Sequence, residues 1–345
     1  MKALVLTHVN QFEIRDCPDP LTGDRDVLIR VKACGICGSD VHGMDGSTGR
    51  RQPPIIMGHE AAGVIAETGS GVTGWKTGDR VTFDSTVYCG RCYFCRQGRI
   101  NLCDNRRVLG VSCDEYRRDG AFAEFIAVPE HILYRLPAGV SFEQGAMTEA
   151  LSIAVHAVHR AAAAPGEVAV VVGAGMIGLL VIQVLAASAC RKVIAVDVDP
   201  ARLRLAEELG ADVLLNPETS DVLQPCLQAT EGRGADIAFD VVGVASAVQT
   251  AAAVLRKGGR LTLVGNISPH AEMPLQALVT REISVNGSCA SCGDYPVCLD
   301  MIAGHTVNVN TLISAVAPLE EGPSWFKRLA GREPGLMKVI LNPPC

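Results

Sequence analysis

Over the first 147 residues, hydrophobic and polar positions alternate in short stretches that glycine and proline interrupt. Segments such as "GSGVTGWKTGDRV" and "RQPPIIMG" have the composition of turns between brief strands. The pattern therefore predicts a β-rich, barrel-type domain over residues 1–147.

From about residue 148 the pattern becomes one of apolar strands separated by helical stretches. The strand candidates are "VAVVVGAG", "KVIAVDVD", "ADIAFDVVG" and "GRLTLVG", and helical segments such as "PARLRLAEELG" and "ASAVQTAAAVLRKGG" lie between them. This alternation predicts a parallel, doubly wound α/β sheet over residues 148–285. The alternation ends after Ile283, and residues 286–345 need not form a third domain.

One uncharged run, from Val168 to Cys190, is long enough to raise the question of a membrane span. Its first part is β-branched and three glycines follow in a cluster, which favours a buried strand followed by a buried helix. We therefore expect no membrane association.

The composition narrows the class of protein. Hydrophobic residues make up 48% of the chain, aromatic residues only 4%, and the formal net charge is −6, which argues against a surface that binds nucleic acid. Fourteen cysteines follow a first segment, MKALVLTHVN, without the features of a signal peptide. We therefore expect reduced, metal-binding cysteines in a cytoplasmic protein.

The segment "VVVGAGMIGLL" carries the G-x-G-x-x-G spacing of a dinucleotide site in Gly173, Gly175 and Gly178. A predicted strand precedes it, a helix follows, and Asp197 ends the next strand, where a carboxylate can bind the adenosine ribose. Asp197 would accept hydrogen bonds from the 2′-hydroxyl and repel a 2′-phosphate. The pattern thus predicts NAD in preference to NADP.

Four cysteines lie close together in "CGRCYFCRQGRINLC": Cys89, Cys92, Cys95 and Cys103. Four thiolates at this spacing can close a tetrahedral Zn²⁺ shell, which stabilises a loop and leaves no open position for catalysis. An iron–sulfur cluster or a disulfide pair is the alternative. Five other cysteines are predicted to be small buried hydrophobic side chains, namely Cys17, Cys34, Cys113, Cys190 and Cys226.

Candidates for chemistry lie in two other segments. "ACGICGSDVHG" supplies Cys37, Ser39 and His42, and "IIMGHEAAGVI" supplies His59 and Glu60. A cysteine, a histidine and a glutamate from separate segments suit an open zinc site, which needs three protein ligands and room for a substrate.

The motifs "CGICGSDVH", "GHEAAGVIAETG", the four-cysteine loop and "GAGMIG" follow one another in the order seen in zinc-containing medium-chain alcohol dehydrogenases. The chain resembles that family over its whole length, and most closely its polyol and threonine dehydrogenase branch. The resemblance implies a GroES-like β-rich catalytic domain plus a Rossmann domain, with residues 286–345 returning to the catalytic domain. It also implies a homo-oligomer, a dimer or tetramer.

The resemblance further assigns roles by position. It makes Cys37, His59, Glu60 and Glu149 the candidate ligands of a catalytic zinc, with Glu60 and Glu149 left unranked. Ser39 would contact the substrate oxygen and His42 would help to pass its proton to solvent. Beyond the three glycines and Asp197, the implied NAD contacts are Ile177, Arg202, Val264, Gly265, Asn266, Ser288, Cys289 and Ala290.

These residues imply oxidation of a secondary alcohol to a ketone, with one catalytic and one structural zinc per chain. An Arg-Tyr pair that contacts polyol hydroxyls in sorbitol-type members is replaced here by Ala290 and Ser291, and Gly43 replaces an aromatic residue. Arg50 and Arg51, which precede the GHE motif, are candidate ligands for a carboxylated or phosphorylated polyol.

Two further hypotheses remain open. The enzyme alternative is a threonine 3-dehydrogenase or a vicinal diol dehydrogenase. The non-enzyme alternative is a redox-sensing binding module built on the zinc loop, which the arginines of "CRQGRINLC" favour and the acidic net charge opposes.

Overall fold

A computed structural model describes residues 1–112 and 117–344 of the chain. These residues form two units: Met1–Glu149 with Ser291–Gly304 and Val309–Cys345, and Ala150–Ala290 with His305–Asn308. The domain limits predicted at residues 147 and 285 stay a prediction. Of the five cysteines predicted to be buried, Cys34 and Cys226 are, whereas Cys17 and Cys190 are half-buried and Cys113 lies outside the described residues.

The strands, numbered along the chain, are β1 (Lys2–His8), β2 (Gln11–Asp16), β3 (Asp26–Gly35), β4 (Ile55–Ile56), β5 (Glu60–Thr68), β6 (Arg80–Phe83), β7 (Thr86–Val87), β8 (Arg107–Val108), β9 (Phe125–Pro129), β10 (Leu133–Arg135), β11 (Val168–Val172), β12 (Lys192–Val196), β13 (Val213–Leu215), β14 (Ala235–Asp240), β15 (Leu255–Leu263), β16 (Ser284–Gly287), β17 (Ile313–Pro318) and β18 (Lys338–Asn342). The helices are α1 (Gly38–Gly43), α2 (Tyr93–Arg96), α3 (Phe142–Ala146), α4 (Thr148–Arg160), α5 (Met176–Ala187), α6 (Pro200–Glu208), α7 (Leu223–Ala229), α8 (Ala245–Ala253), α9 (Leu275–Thr280), α10 (Tyr295–Ala303) and α11 (Gly322–Ala330).

The second unit is built on a six-stranded parallel sheet with the order β13-β12-β11-β14-β15-β16. If β11 is counted as strand 1, this order is 3-2-1-4-5-6, which is that of a doubly wound dinucleotide-binding fold. The central strand β11 is buried at every position, because helices cover both faces of such a sheet. The predicted parallel sheet is observed, and four of its six strands, β11, β12, β14 and β15, are those predicted from the sequence.

The long uncharged run is a strand followed by a helix, as predicted. β11 is joined by the glycine turn to α5, whose residues from Gly178 to Leu185 are all buried. A helix buried on all sides is apolar all round, so it resembles a membrane segment in sequence. Among the described residues, no helix is both long and apolar enough to span a bilayer.

The sequence pattern fails at the end of this sheet. The helix predicted over "ASAVQTAAAVLRKGG" ends at Ala253, and "LRKGG" already belongs to β15. Both edge strands were missed: β13 is only three residues long, and three of the four residues of β16 are exposed, so β16 lacks an apolar pattern. An edge strand buries little surface, so its sequence carries little periodicity.

The first unit is dominated by a seven-stranded sheet, in which six strands follow the order β10-β6-β5-β3-β18-β17 and β9 also pairs with β3. β3 pairs antiparallel with β5, with Gly35 opposite Glu60, and β18 pairs with the end of β3. The strand ends that meet here come from three distant parts of the sequence. They position the candidate metal ligands.

Candidate functional site

The candidate catalytic residues meet where β3 ends and β5 begins. Cys37 lies two residues beyond Gly35, and His59 immediately precedes Glu60, the partner of Gly35 in the sheet. The ligand atoms of Cys37, His59 and Glu60 all lie within 4.8 Å of one another. One thiol, one imidazole and one carboxylate at this spacing form a donor set that suits zinc.

Asp40 fixes the position of the first two ligands. Cys37 is the N-cap of α1, its Sγ accepts a hydrogen bond from the Ser39 amide at 3.4 Å, and its own amide donates to Asp40 Oδ2 at 3.3 Å. The other oxygen of Asp40 lies 3.5 Å from His59 Nδ1. That ring nitrogen is buried and has no hydrogen bond of ordinary geometry among the described residues. A carboxylate at this place orients the imidazole.

Glu60 is held by a buried lysine that the sequence analysis did not single out. Lys338 Nζ donates to the two carboxylate oxygens of Glu60 at 2.7 and 2.5 Å, and to the Ile36 carbonyl oxygen at 3.2 Å. Burial is the largest single influence and lowers the pKa of Lys338, but the charges of Glu60, Cys37 and Glu149 together with the hydrogen bonds to Glu60 outweigh it, so the pKa is raised. A Cβ at Gly35 would overlap the Glu60 carboxylate, so a side chain at this position would displace that carboxylate.

Glu149, in the first turn of α4, is the second buried glutamate of the region. Ser85 Oγ donates a hydrogen bond to its Oε1 at 3.3 Å. Burial raises the pKa of Glu149 to about 7, and the charge of His59 opposes that shift. Glu149 is not among the residues whose ligand atoms lie within 4.8 Å of one another. The site therefore offers two glutamate carboxylates. Glu60 lies within the cluster and is paired with Lys338, whereas Glu149 lies outside it, and a nearby cation would stabilise its deprotonated form.

The predicted proton-relay residues share α1 with Cys37. Ser39 and His42 are both exposed, and His42 lies in the last turn of the helix. Arg51 is placed differently from the prediction of a substrate ligand, because its side chain is only 4% exposed and pairs with Asp40 at 2.9 Å. Its charge is thus neutralised within the protein. Arg50 is exposed, and its role stays a prediction.

The four-cysteine loop brings its thiols together as the spacing predicts. The Sγ atoms of Cys89, Cys92, Cys95 and Cys103 lie within 4.8 Å of one another, and the described cysteines form no disulfide. The amides of Cys89 and Asn105 each donate to Cys103 Sγ at 3.3 Å. These amide hydrogen bonds favour the thiolate of Cys103, but burial outweighs them and raises the pKa of this thiol.

The pKa values of thiols in this loop are shifted in opposite directions. Amide hydrogen bonds, that of Arg91 foremost, lower the pKa of Cys89 to about 6, whereas burial and the neighbouring thiols raise the pKa of Cys95 to about 12. Four thiolates this close repel one another unless a cation lies between them. The donor set therefore fits a closed, structural Zn²⁺ site.

The glycine turn of the second unit fits a bound pyrophosphate. Gly173 has φ +100°, and a Cβ on Gly178 would overlap the carbonyl oxygen of Gly173, so the helix packs on the turn only with glycine there. A Cβ on Gly175, the N-cap of α5, would have no described atom within 4 Å. The backbone is thus open to a ligand at the amino end of a buried helix, which favours an anion.

Asp197 lies at the end of β12, beside this turn. Its Oδ2 accepts a hydrogen bond from the Ala174 amide at 2.6 Å, and its Oδ1 accepts one from the Asp199 amide at 2.9 Å. The carboxylate is fixed next to the second residue of the glycine motif. Arg202 does not pair with it; Arg202 Nε lies 3.6 Å from Asp199, and its side chain is half exposed.

The other predicted NAD contacts follow strand ends of the same sheet. Val264, Gly265 and Asn266 follow β15, and a Cβ on Gly265 would overlap the backbone of Val242 and Gly243 after β14. The remaining positions are Ile177, half-buried in α5, and Ser288, Cys289 and Ala290 after β16. The buried hydroxyl oxygen of Ser288 has no hydrogen-bond partner among the described residues.

Replacing Asp197 by asparagine is expected to raise KM for NAD by about 10–100-fold, because a hydrogen bond to a charged group contributes roughly 1.5–3 kcal/mol. The preference for NAD over NADP should fall, since the charge that repels a 2′-phosphate is removed. Initial rates at varied NAD and NADP measure both effects. Asp199→Asn, which alters the neighbouring N-cap of α6, is the matched control. An unchanged KM for NAD in Asp197→Asn would place the ribose elsewhere.

Two family models match the chain. The model described as alcohol dehydrogenase GroES-like domain matches residues 23–138, and the model described as zinc-binding dehydrogenase matches residues 177–304. Together these models cover parts of both observed units. They confirm the predicted combination of a GroES-like domain with a Rossmann sheet.

Named relatives match nearly the whole chain. A probable D-xylulose reductase A of Aspergillus clavatus is 37% identical over 95% of this chain and 93% of its own length. A sorbitol dehydrogenase of Bacillus subtilis is 33% identical over 99% of this chain and 97% of its own. The crystal structure of galactitol-1-phosphate dehydrogenase from Escherichia coli superposes with a TM-score of 0.92 at 26% identity, covering 99% of this chain and 100% of that one.

These matches confirm the resemblance recognised in the sequence, and with it an enzyme that uses NAD and zinc. Sequence identities of 37% and 33% over nearly the whole chain show membership of the same family and not only a shared fold. The chain therefore belongs to the zinc-containing medium-chain alcohol dehydrogenases, in the branch that includes the polyol dehydrogenases.

Proposed function

We propose that this enzyme oxidises a secondary hydroxyl of a neutral polyol to a ketone, with NAD as the acceptor. The convergence of Cys37 and His59 carries the proposal, because their donor atoms lie within 4.8 Å of each other beside the helix that bears Ser39. When bound, zinc supplies Lewis-acid polarisation of the alcohol oxygen, and NAD supplies the acceptor for the hydride.

The protein's own residues handle the proton. Ser39 Oγ accepts the proton of the substrate hydroxyl while its own proton moves on towards His42 and solvent. Asp40 keeps the start of α1 in place through the Cys37 amide, and the Ser39 amide lies 3.4 Å from Cys37 Sγ, so residue 39 is fixed beside this ligand. Cys37, His59 and a glutamate would hold the metal, and Ser85 donates a hydrogen bond to Glu149.

We propose Glu149, and not Glu60, as the third protein ligand. Glu60 is the nearer carboxylate, but both of its oxygens are bound by Lys338. Glu149 is buried beside His59 with a raised pKa, so a divalent cation would stabilise its charged form. Under this proposal Glu149→Gln lowers zinc affinity more than Glu60→Gln does.

We assign a neutral substrate because two polar side chains that could have bound an anion already have partners within the protein. Arg51 is neutralised by Asp40, and the buried Ser291 donates its hydroxyl to Asp84 at 3.2 Å, so neither is presented to a substrate anion. The two curated relatives described above, with 37% and 33% identity, are named for D-xylulose and sorbitol. The relative named for a phosphorylated polyol is 26% identical.

A substrate panel tests the proposal directly. We expect zinc-replete enzyme to form NADH from xylitol or sorbitol with kcat/KM about tenfold or more above that for a sugar acid or a sugar-alcohol phosphate. Arg50→Ala should leave that ratio unchanged. A preference for the anionic members that Arg50→Ala removes would overturn the assignment, and activity only with L-threonine would replace it by the amino-alcohol alternative.

We further propose a cytoplasmic homo-oligomer, a dimer or tetramer. β16 is an edge strand of the parallel sheet, and Leu275, Val279 and Val285 on or near it are exposed apolar side chains, which supports pairing of this edge between copies. No disulfide joins the twelve described cysteines, which fits a reducing compartment. Light scattering coupled to size exclusion measures the mass, and a monomeric mass would contradict the proposal.

A further inference from the structure

Arg51 is a buried cation with a defined set of partners. Its Nε and Nη2 donate to Asp40 Oδ1 at 3.3 and 2.9 Å, and its Nη1 donates to the carbonyl oxygen of Arg50 at 3.3 Å. Asp40 has no solvent-exposed surface, so the pair exchanges its hydration for contacts within the protein. A guanidinium held in this way keeps a fixed orientation.

The same guanidinium reaches the proposed relay residue. Arg51 Nη2 donates to Ser39 Oγ at 3.3 Å. A serine oxygen has two lone pairs and one proton, so a donor on one lone pair leaves the other free to accept the proton of an alcohol. The hydroxyl proton of Ser39 must then point away from Arg51. The contact with Arg51 therefore favours those rotations of the Ser39 hydroxyl in which its oxygen can accept the proton of the substrate while its own proton is donated to another acceptor.

Gly43 makes room for this arrangement. A Cβ at Gly43 would lie 2.6 Å from Arg51 Cγ and 3.5 Å from Arg51 Cβ. The stem of Arg51 therefore occupies the volume that any side chain at position 43 would need. Because Cγ lies close to the backbone of Arg51, it cannot move aside without moving the guanidinium. The two positions are coupled by contact.

We propose that Arg51 is a positioning residue for the proton relay, and that Gly43 is the glycine that permits it. Arg51 orients the Ser39 hydroxyl through Nη2 and fixes Asp40 through Nε and Nη2. It therefore acts on the reaction through Ser39 and makes no contact with the substrate. This inference rests on the proposed function, in which Ser39 passes the substrate proton.

The first test compares proton transfer in four variants. Relative to wild type, Arg51→Ala is expected to lower kcat about tenfold, with KM for NAD unchanged and a larger solvent deuterium isotope effect on kcat. Arg51→Lys keeps the charge and should recover part of the loss. Ser39→Ala shows whether the relay operates at all, and Arg15→Gln, in an exposed pair with Glu13, controls for loss of a surface arginine.

The second test needs no change of charge. Gly43→Ala should displace the stem of Arg51 and lower kcat about as much as Arg51→Ala does, with the same rise in isotope effect. In the Arg51→Ala background the added methyl group meets no stem, so Gly43→Ala should have little further effect. Such non-additivity is the signature of two positions in contact.

Different results would contradict the proposed function and the proposed role of Arg51. If wild type forms no NADH from any polyol, or if Ser39→Ala is as active as wild type, the proposed function or its relay is wrong. If Ser39→Ala is impaired but Arg51→Lys and Arg51→Ala retain the wild-type kcat and isotope effect, the role of Arg51 is refuted. Equal losses from Gly43→Ala in both backgrounds would refute the coupling.

Discussion

Replacing Cys37 by serine is expected to lower kcat/KM for the alcohol about 10³-fold or more, because a bound metal supplies roughly 4 kcal/mol or more of transition-state stabilisation. Serine suits the test because its hydroxyl can still accept the hydrogen bond from the Ser39 amide and cap α1. It does not supply the thiolate. The change therefore removes a ligand and leaves the local backbone in place.

Initial rates of NADH formation at saturating NAD measure this loss, and the thermal midpoint Tm reports whether the fold is intact. Cys17→Ser, at another half-buried thiol of the same unit, is the matched control and should retain activity. If Cys37→Ser kept more than about a tenth of the wild-type kcat/KM, a metal held by Cys37 could not be the source of activity.

Replacing Lys338 by methionine is expected to lower the free energy of unfolding by about 3–5 kcal/mol, the usual effect of leaving one member of a buried ion pair without its partner. The side chains of Lys338 and Glu60 are 3% and 2% exposed, and Nζ binds both carboxylate oxygens. Methionine has nearly the shape of lysine without the charge, so the change leaves Glu60 buried and unpaired.

Urea unfolding of zinc-replete protein measures the change. Lys2→Met provides the control within the chain, since Lys2 and Asp16 form an ion pair whose side chains are 46% and 79% exposed, and such a pair contributes at most about 1 kcal/mol. The double variant Lys338→Met/Glu60→Gln should regain stability relative to Lys338→Met, because no buried charge is then left alone. Equal losses in Lys338→Met and Lys2→Met would show that the buried pair contributes nothing special.

The features predicted correctly are those whose determinants lie close together in the sequence. The glycine turn at residues 173–178 and the four-cysteine loop each have a fixed spacing, which follows from the geometry of the backbone around one ligand. β11 and α5 were likewise identified from a single apolar run. The edge strand β16 was missed because an exposed strand has no apolar pattern to detect.

The contacts that tune the site are not local. Lys338 lies 278 residues from Glu60, and only the pairing of β18 with β3 brings the two together. In the sequence Lys338 is a charge at the start of an apolar strand, "KVILN", which gives no partner. Arg51 was singled out for its charge, but the role proposed for it depends on Asp40 and on the absence of a side chain at Gly43, whose place the Arg51 stem occupies. Contacts of this kind can be recognised only in a three-dimensional structure.

Zinc content measured with NADH formation tests most directly whether Cys37 and His59 hold the catalytic metal. Native mass spectrometry of the wild type should show two zinc ions per chain, one for the four-cysteine loop and one for the catalytic site. His59→Ala should retain one zinc ion and lose NADH formation. A wild type with a single zinc ion, or His59→Ala with two zinc ions and full activity, would contradict the assignment.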